Sequence, residues 1–270
     1  FRNVNIKWEE TTTANVGIDF GFFNNRLTGS VEGFYKKSQN LLSYAAISDG
    51  SNFSNAGFQN IGTLSSKGVE LTLNADIIKT NDFSWNVNFN VTKFERRIDE
   101  LALNSDILTG GIGGGTGGTI QIHSQGYTPN SFYVFKQLYD VNGRPIQGAY
   151  ADINGDGIVN NSDRYIKYNG DPNMTFGFAS NFNYKNFDFS FNLRASLGNH
   201  IYNNINSVSA YYSLVQNNTV LGNIPTSVLD TNFIQPGSLG TQSDIYIENA
   251  SFLRMDNITF GYSFPKWLDG

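Results

Sequence analysis

Apolar and polar residues alternate one for one along much of this chain, and that period of two leaves few architectures open. Phe83, Trp85, Val87, Phe89 and Val91 interleave with Ser84, Asn86, Asn88, Asn90 and Thr92. Phe187, Phe189, Phe191, Leu193 and Ala195 interleave with Asp188, Ser190, Asn192, Arg194 and Ser196. Val69, Leu71, Leu73, Ala75 and Ile77 alternate with Glu70, Thr72, Asn74 and Asp76, and Val16, Ile18, Phe20 and Phe22 with Gly17, Asp19 and Gly21. Successive side chains of a β-strand point to opposite faces. Each run is therefore a ribbon with one greasy side and one polar side. No amphipathic helix of three or more turns is legible, and the fold class is all-β.

The connections carry a second regularity. Asn24-Asn25, Thr80-Asn81-Asp82 and Lys185-Asn186 are tight hairpin turns of the Asn/Asp type. Between these hairpins lie much longer segments, read as loops over roughly 38–64, 99–173 and 200–250, and a last strand runs from about Phe252 to Phe264. Short and long connections thus take turns. A soluble sandwich has no reason to sort them by end, whereas an outer-membrane barrel does, with short periplasmic turns and long extracellular loops. The strands also read long, about 12–15 residues against the ~5–6 of soluble sheets.

Composition agrees. Only 15% of the 270 residues are charged, 14% are aromatic and mean hydropathy is −0.31, so Asn, Ser, Thr and Gly supply the polarity. The net charge of −5 comes without a basic stripe, which argues against nucleic acid. With no Cys, disulfides and thiolate metal sites are excluded. No apolar run approaches the ~18 residues of a spanning helix, but a spanning strand needs only ~10. Seven spanning strands cannot close a bacterial barrel, whose strand count is even and starts at about 8. An open sheet in lipid would strand backbone groups at several kcal/mol each. The missing strands are expected from elsewhere in the same polypeptide or from associated chains. A start at Phe1, without Met or signal peptide, reads as a processed product or as part of something longer.

Specific residues then resemble a known family. Asn60-Ile61-Gly62-Thr63-Leu64-Ser65-Ser66-Lys67-Gly68-Val69-Glu70 is similar to the N-x-G-x-x-x-N/S-K-G-V/I-E segment of SusC/RagA-type TonB-dependent outer-membrane transporters. Trp8-Glu9, Thr11-Thr12, Asn15 and Gly17–Phe20 resemble its W-E-x-T-x-x-x-N-x-G-x-D-x-x-F. The stretch 126–135, with Pro129, is similar to G-x-P-x-x-S-F-Y, and Asp171-Pro172, Phe176-Gly177-Phe178 and Asn186-Phe187 resemble P-x-F-x-x-G-F…Y-K-N-F. Phe252-Leu253-Arg254, Asn257, Phe260-Gly261-Tyr262 and Pro265 resemble S-F-L-R-L-K-N-I-T-L-G-Y-x-x-P. The likeness runs in family order along nearly the whole chain.

It implies that residues 1–270 are a late portion of a large antiparallel transmembrane β-barrel, 22-stranded in the family. The plug domain that contacts TonB and the final strands would lie outside the chain. It also implies a Bacteroidetes-type importer of a large nutrient, an oligosaccharide or a peptide, in the bacterial outer membrane. A SusD-type surface lipoprotein would be its lid, and outer-membrane lipid would surround it. The polar strand faces would enclose the plug, and Asp188 and Arg194 would face the lumen.

One motif suggests a metal. Asp152-Ile153-Asn154-Gly155-Asp156-Gly157-Ile158-Val159-Asn160-Asn161-Ser162-Asp163 matches a twelve-residue calcium loop. Asp152, Asn154, Asp156, Asn160 and Asp163 would supply side-chain oxygens and Ile158 its carbonyl. Position 12 is Asp rather than Glu, and no helix pattern flanks the loop, so it is not an EF-hand. A structural Ca²⁺ stiffening the 99–173 segment is expected; an ion-free Asx/Gly turn is the alternative.

Other signals are weaker. Gly113, Gly115 and Gly118 spell G-x-G-x-x-G, but no helix pattern or Lys-Ser/Thr follows to hold a phosphate. His123 and His200 lie apart, with no Gly-x-Ser-x-Gly elbow, so no catalytic residues are assigned. Tyr211 and Tyr212 are candidates to stack on substrate. Tyr35, Tyr184, Tyr262 and Trp267 fall where an aromatic girdle belongs. The competing reading is a secreted or surface β-rich binding or adhesion module with a calcium-stiffened loop.

Overall fold

A computed structural model describes residues 6–46, 56–101, 105–112, 118–217, 220–235, 237 and 239–264. It divides into two compact units.

The first unit is a seven-stranded antiparallel sheet, arranged in simple chain order. Its strands are β1 (Glu10–Phe22), β2 (Leu27–Ala46), β3 (Ala56–Lys79), β4 (Phe83–Leu101), β5 (Met174–Tyr184), β6 (Phe187–Leu197) and β7 (Phe252–Tyr262). Every alternating run of the sequence is one of these strands. The register keeps the greasy residues opposite one another: Val31 pairs with Leu71, Leu71 with Val91, Val91 with Phe176 and Phe176 with Ala195. A slip of one residue would turn a whole strand's apolar set to the wrong face.

No second layer covers the apolar side within this unit. Val16 (78%), Ile18 (69%), Leu253 (73%) and Phe260 (69%) are open. The rings meet only sideways, as in the Trp85–Phe182 stack at 5.4 Å. Trp85 also donates its indole N–H to Ser180 Oγ at 2.9 Å, so the two polar groups on that stretch of greasy surface meet each other. Aromatic side chains gather at the hairpin end, where Phe187 and Tyr262 lie 4.6 Å apart and Phe83 meets Tyr184 edge-on. Trp267 lies outside the described residues.

The hairpins sit together. Antiparallel pairing places the β1–β2, β3–β4 and β5–β6 turns at one end of the sheet. All longer connections leave from the other. Phe23, Asn24 and Asn25 take left-handed backbone conformations, as does Lys185. Asn tolerates that region better than most side chains.

Two of the expected boundaries change. The segment 38–64 is not one long loop: β2 runs on to Ala46 and β3 starts at Ala56, with the two strands paired throughout. Bulges at Ser38/Leu41 and Leu41/Leu42, with Asn40 left-handed, put the alternation out of phase there. β4 likewise continues to Leu101 rather than ending near Asp99.

The second unit comprises residues 103–171 and 199–250, read from sequence as loops. It is folded. Strands Ser131–Phe135, Thr119–His123, Ile107–Gly111 and Arg164–Ile166 form a small sheet. Ile120, Phe132 and Val134 make its core, backed by Ile112, Tyr165, Tyr202 and Ile247. Its two α-helices, Asn204–Ser209 and Val228–Thr231, are six and four residues long, short of three turns. No helix among the described residues is long and apolar enough to cross a membrane, which says nothing of strands.

Candidate functional site

Three regions bear on function: the polar face of the sheet, the acidic loop at 152–163 and the aromatic cluster of the second unit. The polar face is dominated by carboxamides, because Asn is the commonest partner in the alternation of β4–β6. Asn88 Nδ2 donates to Asn86 Oδ1 at 2.9 Å, and Asn86 Nδ2 donates to Asp76 Oδ1 at 3.0 Å. Asn183 donates to Ser84, and Asn192 to Asn257. Asp188 shares this face, its carboxylate lying over Gly261, where a Cβ would come within 2.4 Å of Asp188 Oδ1. Arg194 pairs with Asp256 at 3.0 Å, and both are about half exposed. Asp256 is the residue skipped at the β6–β7 irregularity. The two candidate lumen residues therefore stand on one strand but make separate contacts.

In the acidic loop every candidate side chain accepts a hydrogen bond from a backbone N–H of the loop itself, while Asp152, Asn154 and Asp156 stay exposed. Asp152 accepts from Gly155 at 2.7 Å and from Gly157 at 2.8 Å. Asn154 Oδ1 accepts from Asp156 N, and Asp156 Oδ1 from Ile158 N. Asp163 closes the loop: Oδ1 accepts from Ile153 and Asn154, and Oδ2 from Asn160. Asn160 caps the short turn that follows, with Asp163 reaching back to its backbone. Gly155 and Gly157 are left-handed, with open space where a Cβ would stand. These bonds, led by that from Asn160, hold the Asp163 carboxyl below its ordinary value. Each carboxylate offers about four lone-pair sites, so Asp152, Asp156 and Asp163 keep acceptor capacity beyond these bonds. The donor set is hard oxygen, which suits Ca²⁺ rather than a soft metal. Among the described residues no group of three or more acidic or His side chains is gathered tightly enough to hold a metal by itself.

Arg164, directly after the loop, ends the stretch Asp152–Arg164 that resembles a common insert of SusC/RagA-type transporters closing on Asp-Arg, and it is an anchor whose contacts are not legible in the sequence. It is buried, donates to the Thr119 carbonyl at 2.7 Å and to Gln242 at 3.2 Å, and lies over the Tyr133 ring. Burial pulls its pKa down. Asp244 was missed too. It accepts from Gln137 N, from the Tyr165 hydroxyl at 2.7 Å and from Lys167 Nζ at 2.8 Å. Burial, with Asp244 beside it, raises the Tyr165 pKa. The contacts of both are visible only once distant segments meet.

Tyr211 must be reassigned. It is 1% exposed, donates to the Ser207 carbonyl at 2.9 Å and shares a hydrogen bond with the Tyr246 hydroxyl. Its ring stacks on Phe233. With no ring face open it is a core residue, because an unpatterned segment had looked like surface. Tyr212, at 39%, does present its ring. Burial raises the pKa of Tyr246 and of Tyr150, the latter to about 12. The two histidines do separate work: His123 Nε2 bonds Asn130, and His200 stacks on Tyr168 at 3.8 Å. Residues 113–117, the centre of the glycine run, lie outside the described residues.

With this geometry in view, similar proteins can be set beside it. Residues 1–119 match a family model described as TonB dependent receptor-like, beta-barrel. TonB-dependent receptor SusC of Bacteroides thetaiotaomicron is 41% identical over 98% of this chain, which spans 27% of that protein. TonB-dependent receptor P3 of Formosa agariphila is 28% identical over 98% of the chain and 28% of its own length. Among solved structures, the RagAB peptide importer in its open-open state superposes with a TM-score of 0.77 at 21% identity, covering 99% of this chain and 30% of that one. The RagAB peptide transporter gives 0.73 at 22%, covering 97% and 30%. The chain thus spans under a third of the length of the relatives that it matches.

Proposed function

Because this chain is a barrel segment of the SusC/RagA type, we propose that it forms part of the wall of an energy-coupled outer-membrane importer. One observation carries the reading: a broad apolar face with no protein layer over it among the described residues of the first unit, backed by a polar face rich in amides. Lipid would cover the first and a wet lumen the second. The short turns would face the periplasm, and the second unit would belong to the outer surface. Strands beyond β1 and β7 would come from the rest of the barrel, and energy from TonB through a plug. A SusD-type lipoprotein would close the outer mouth.

The cargo is a large nutrient, an oligosaccharide or a peptide. Likeness in fold to a peptide transporter supports the second. Tyr212 is the aromatic candidate for contact with it, and Asp188 and Arg194 are the candidates along the wall. Mass spectrometry of ligand co-purified with the full-length protein decides the class. Detergent dependence tests the wall itself: a full-length protein that stays monodisperse without detergent refutes it and favours a secreted binding module.

We infer also that Asp152, Asn154, Asp156, Asn160, Asp163 and the Ile158 carbonyl hold a structural Ca²⁺. Support comes from their spacing in the sequence and their hard-oxygen chemistry. Asp152 caps two backbone N–H groups as well, so Asp152→Ala destabilises with or without the ion. The discriminating quantity is the rise in melting temperature on adding Ca²⁺ to chelator-treated protein. It should be positive in the wild type and near zero in Asp152→Ala and Asp156→Ala. An equal rise in all three removes the ion from this loop.

A further inference from the structure

The outward face of the first unit is not uniformly greasy. Over β1–β4 a groove of about 670 Å³ opens between Val16, Tyr35, Lys67, Val69 and Lys93. Its floor is Gly33, where a Cβ would meet only the Val16 carbonyl at 4.0 Å. Val16 pairs with Gly33, Gly33 with Val69 and Val69 with Lys93, so these residues form one row across four strands. The next row is Ala14, Tyr35, Lys67 and Glu95. The row below is Ile18, Val31, Leu71 and Val91, wholly apolar.

Charge appears abruptly at this level. Over the three rows above Val91, the outward positions of β2–β4 carry Lys37, Lys67, Lys93 and Arg97 against one carboxylate, Glu95. Lys67 pairs with Glu95 at 3.5 Å, both well exposed, and such a pair is cheap to exchange. Lys93 has no carboxylate partner among the described residues. The level also fits a membrane boundary. Phe83, at the hairpin end, and Lys93 are ten positions apart on β4. At ~3.3 Å per residue and a tilt of about 40°, that is a height of roughly 25 Å, the thickness of a barrel's apolar band.

We propose that this groove seats a membrane lipid with a phosphate-bearing headgroup. One acyl chain lies in the gap over Gly33 between Val16 and Val69, and the headgroup is held by Lys93 and Lys67, with the Tyr35 ring at the boundary. The proposal rests on the membrane reading above. Charge complementarity selects an anionic lipid, since a zwitterionic head brings a cation into a lysine cluster.

The test is native mass spectrometry of the full-length transporter in detergent, titrated with phosphatidylglycerol, with phosphatidylcholine of the same chains, and with inorganic phosphate. Wild type should retain phosphatidylglycerol adducts in preference to phosphatidylcholine. The Lys67→Gln/Lys93→Gln variant should lose them at least fivefold, and Gly33→Leu, which fills the floor, should lose them with its charges intact. Lys67→Arg/Lys93→Arg and Gly33→Ala should retain them, which separates loss of the lipid from loss of the fold. Unchanged adducts in either loss variant overturn the proposal. So do equal phosphatidylcholine binding and full displacement by millimolar phosphate. A protein that needs no detergent overturns the membrane wall instead.

Discussion

Asp163 shows what a single carboxylate does when three backbone N–H groups converge on it. A neutral amide of the same shape presents a donor where an acceptor is required. Asp163→Asn should therefore destabilise the loop and expose 152–163 to limited proteolysis; a variant cut no faster than wild type would remove Asp163 from this role. The pH dependence follows from the direction of its shift. The folded pKa lies below the ordinary 3.8, so the carboxylate's contribution is complete above that value and is lost as pH falls through the lower folded one. Hydrogen exchange over 152–163, corrected for intrinsic rates, should show protection falling only in that acid range. Tyr211 and Tyr212 make the complementary point. Adjacent and chemically identical, they divide into a core residue and a surface residue, and nothing local distinguishes them.

Within single strands, glycine marks where chains or rings come close. A Cβ at Gly68 would stand 2.6 Å from the Lys93 carbonyl and 2.6 Å from Phe34 Cζ. Gly68→Ala should thus lower stability by about 1–3 kcal/mol, read as a lower denaturation temperature of the detergent-solubilised barrel. An unchanged transition would mean that the strand moves aside freely. The strands were the most legible part of the sequence, because lipid and water impose opposite demands on the two faces and the alternation of β4 or β6 records both. Where that constraint ends, legibility ends as well. β2 and β3 were read too short since their outer portions carry bulges rather than a period. The second unit went unread as a folded body since its strands are only two to six residues long and the best buried of them, Ser131–Phe135, is covered on both faces and so shows no alternation. Of the candidate site, the acidic loop was readable as a motif because its acidic and amide side chains all fall within twelve residues. Arg164 and Asp244 were not, because their partners lie tens of residues away.

At the scale of the molecule, seven strands leave two long edges, β1 and β7, with a full row of backbone groups each. In lipid those groups must be paired. Residues 1–270 expressed alone should fail to give a protease-resistant monomer in detergent, while the full-length protein succeeds. A stable, monodisperse fragment would show that the sheet closes by another route.

The carboxamide lining has an implication for traffic. Asn86, Asn88, Asn183 and Asn192 each carry a donor and an acceptor on one short arm, so any contact surrendered to a passing solute can be replaced at once by the next rung. Asp19, Glu32, Glu70, Asp76, Asp188 and Arg194 punctuate the same face, so in the proposed importer a bulky cargo would trade shallow amide holds between fixed charged stations.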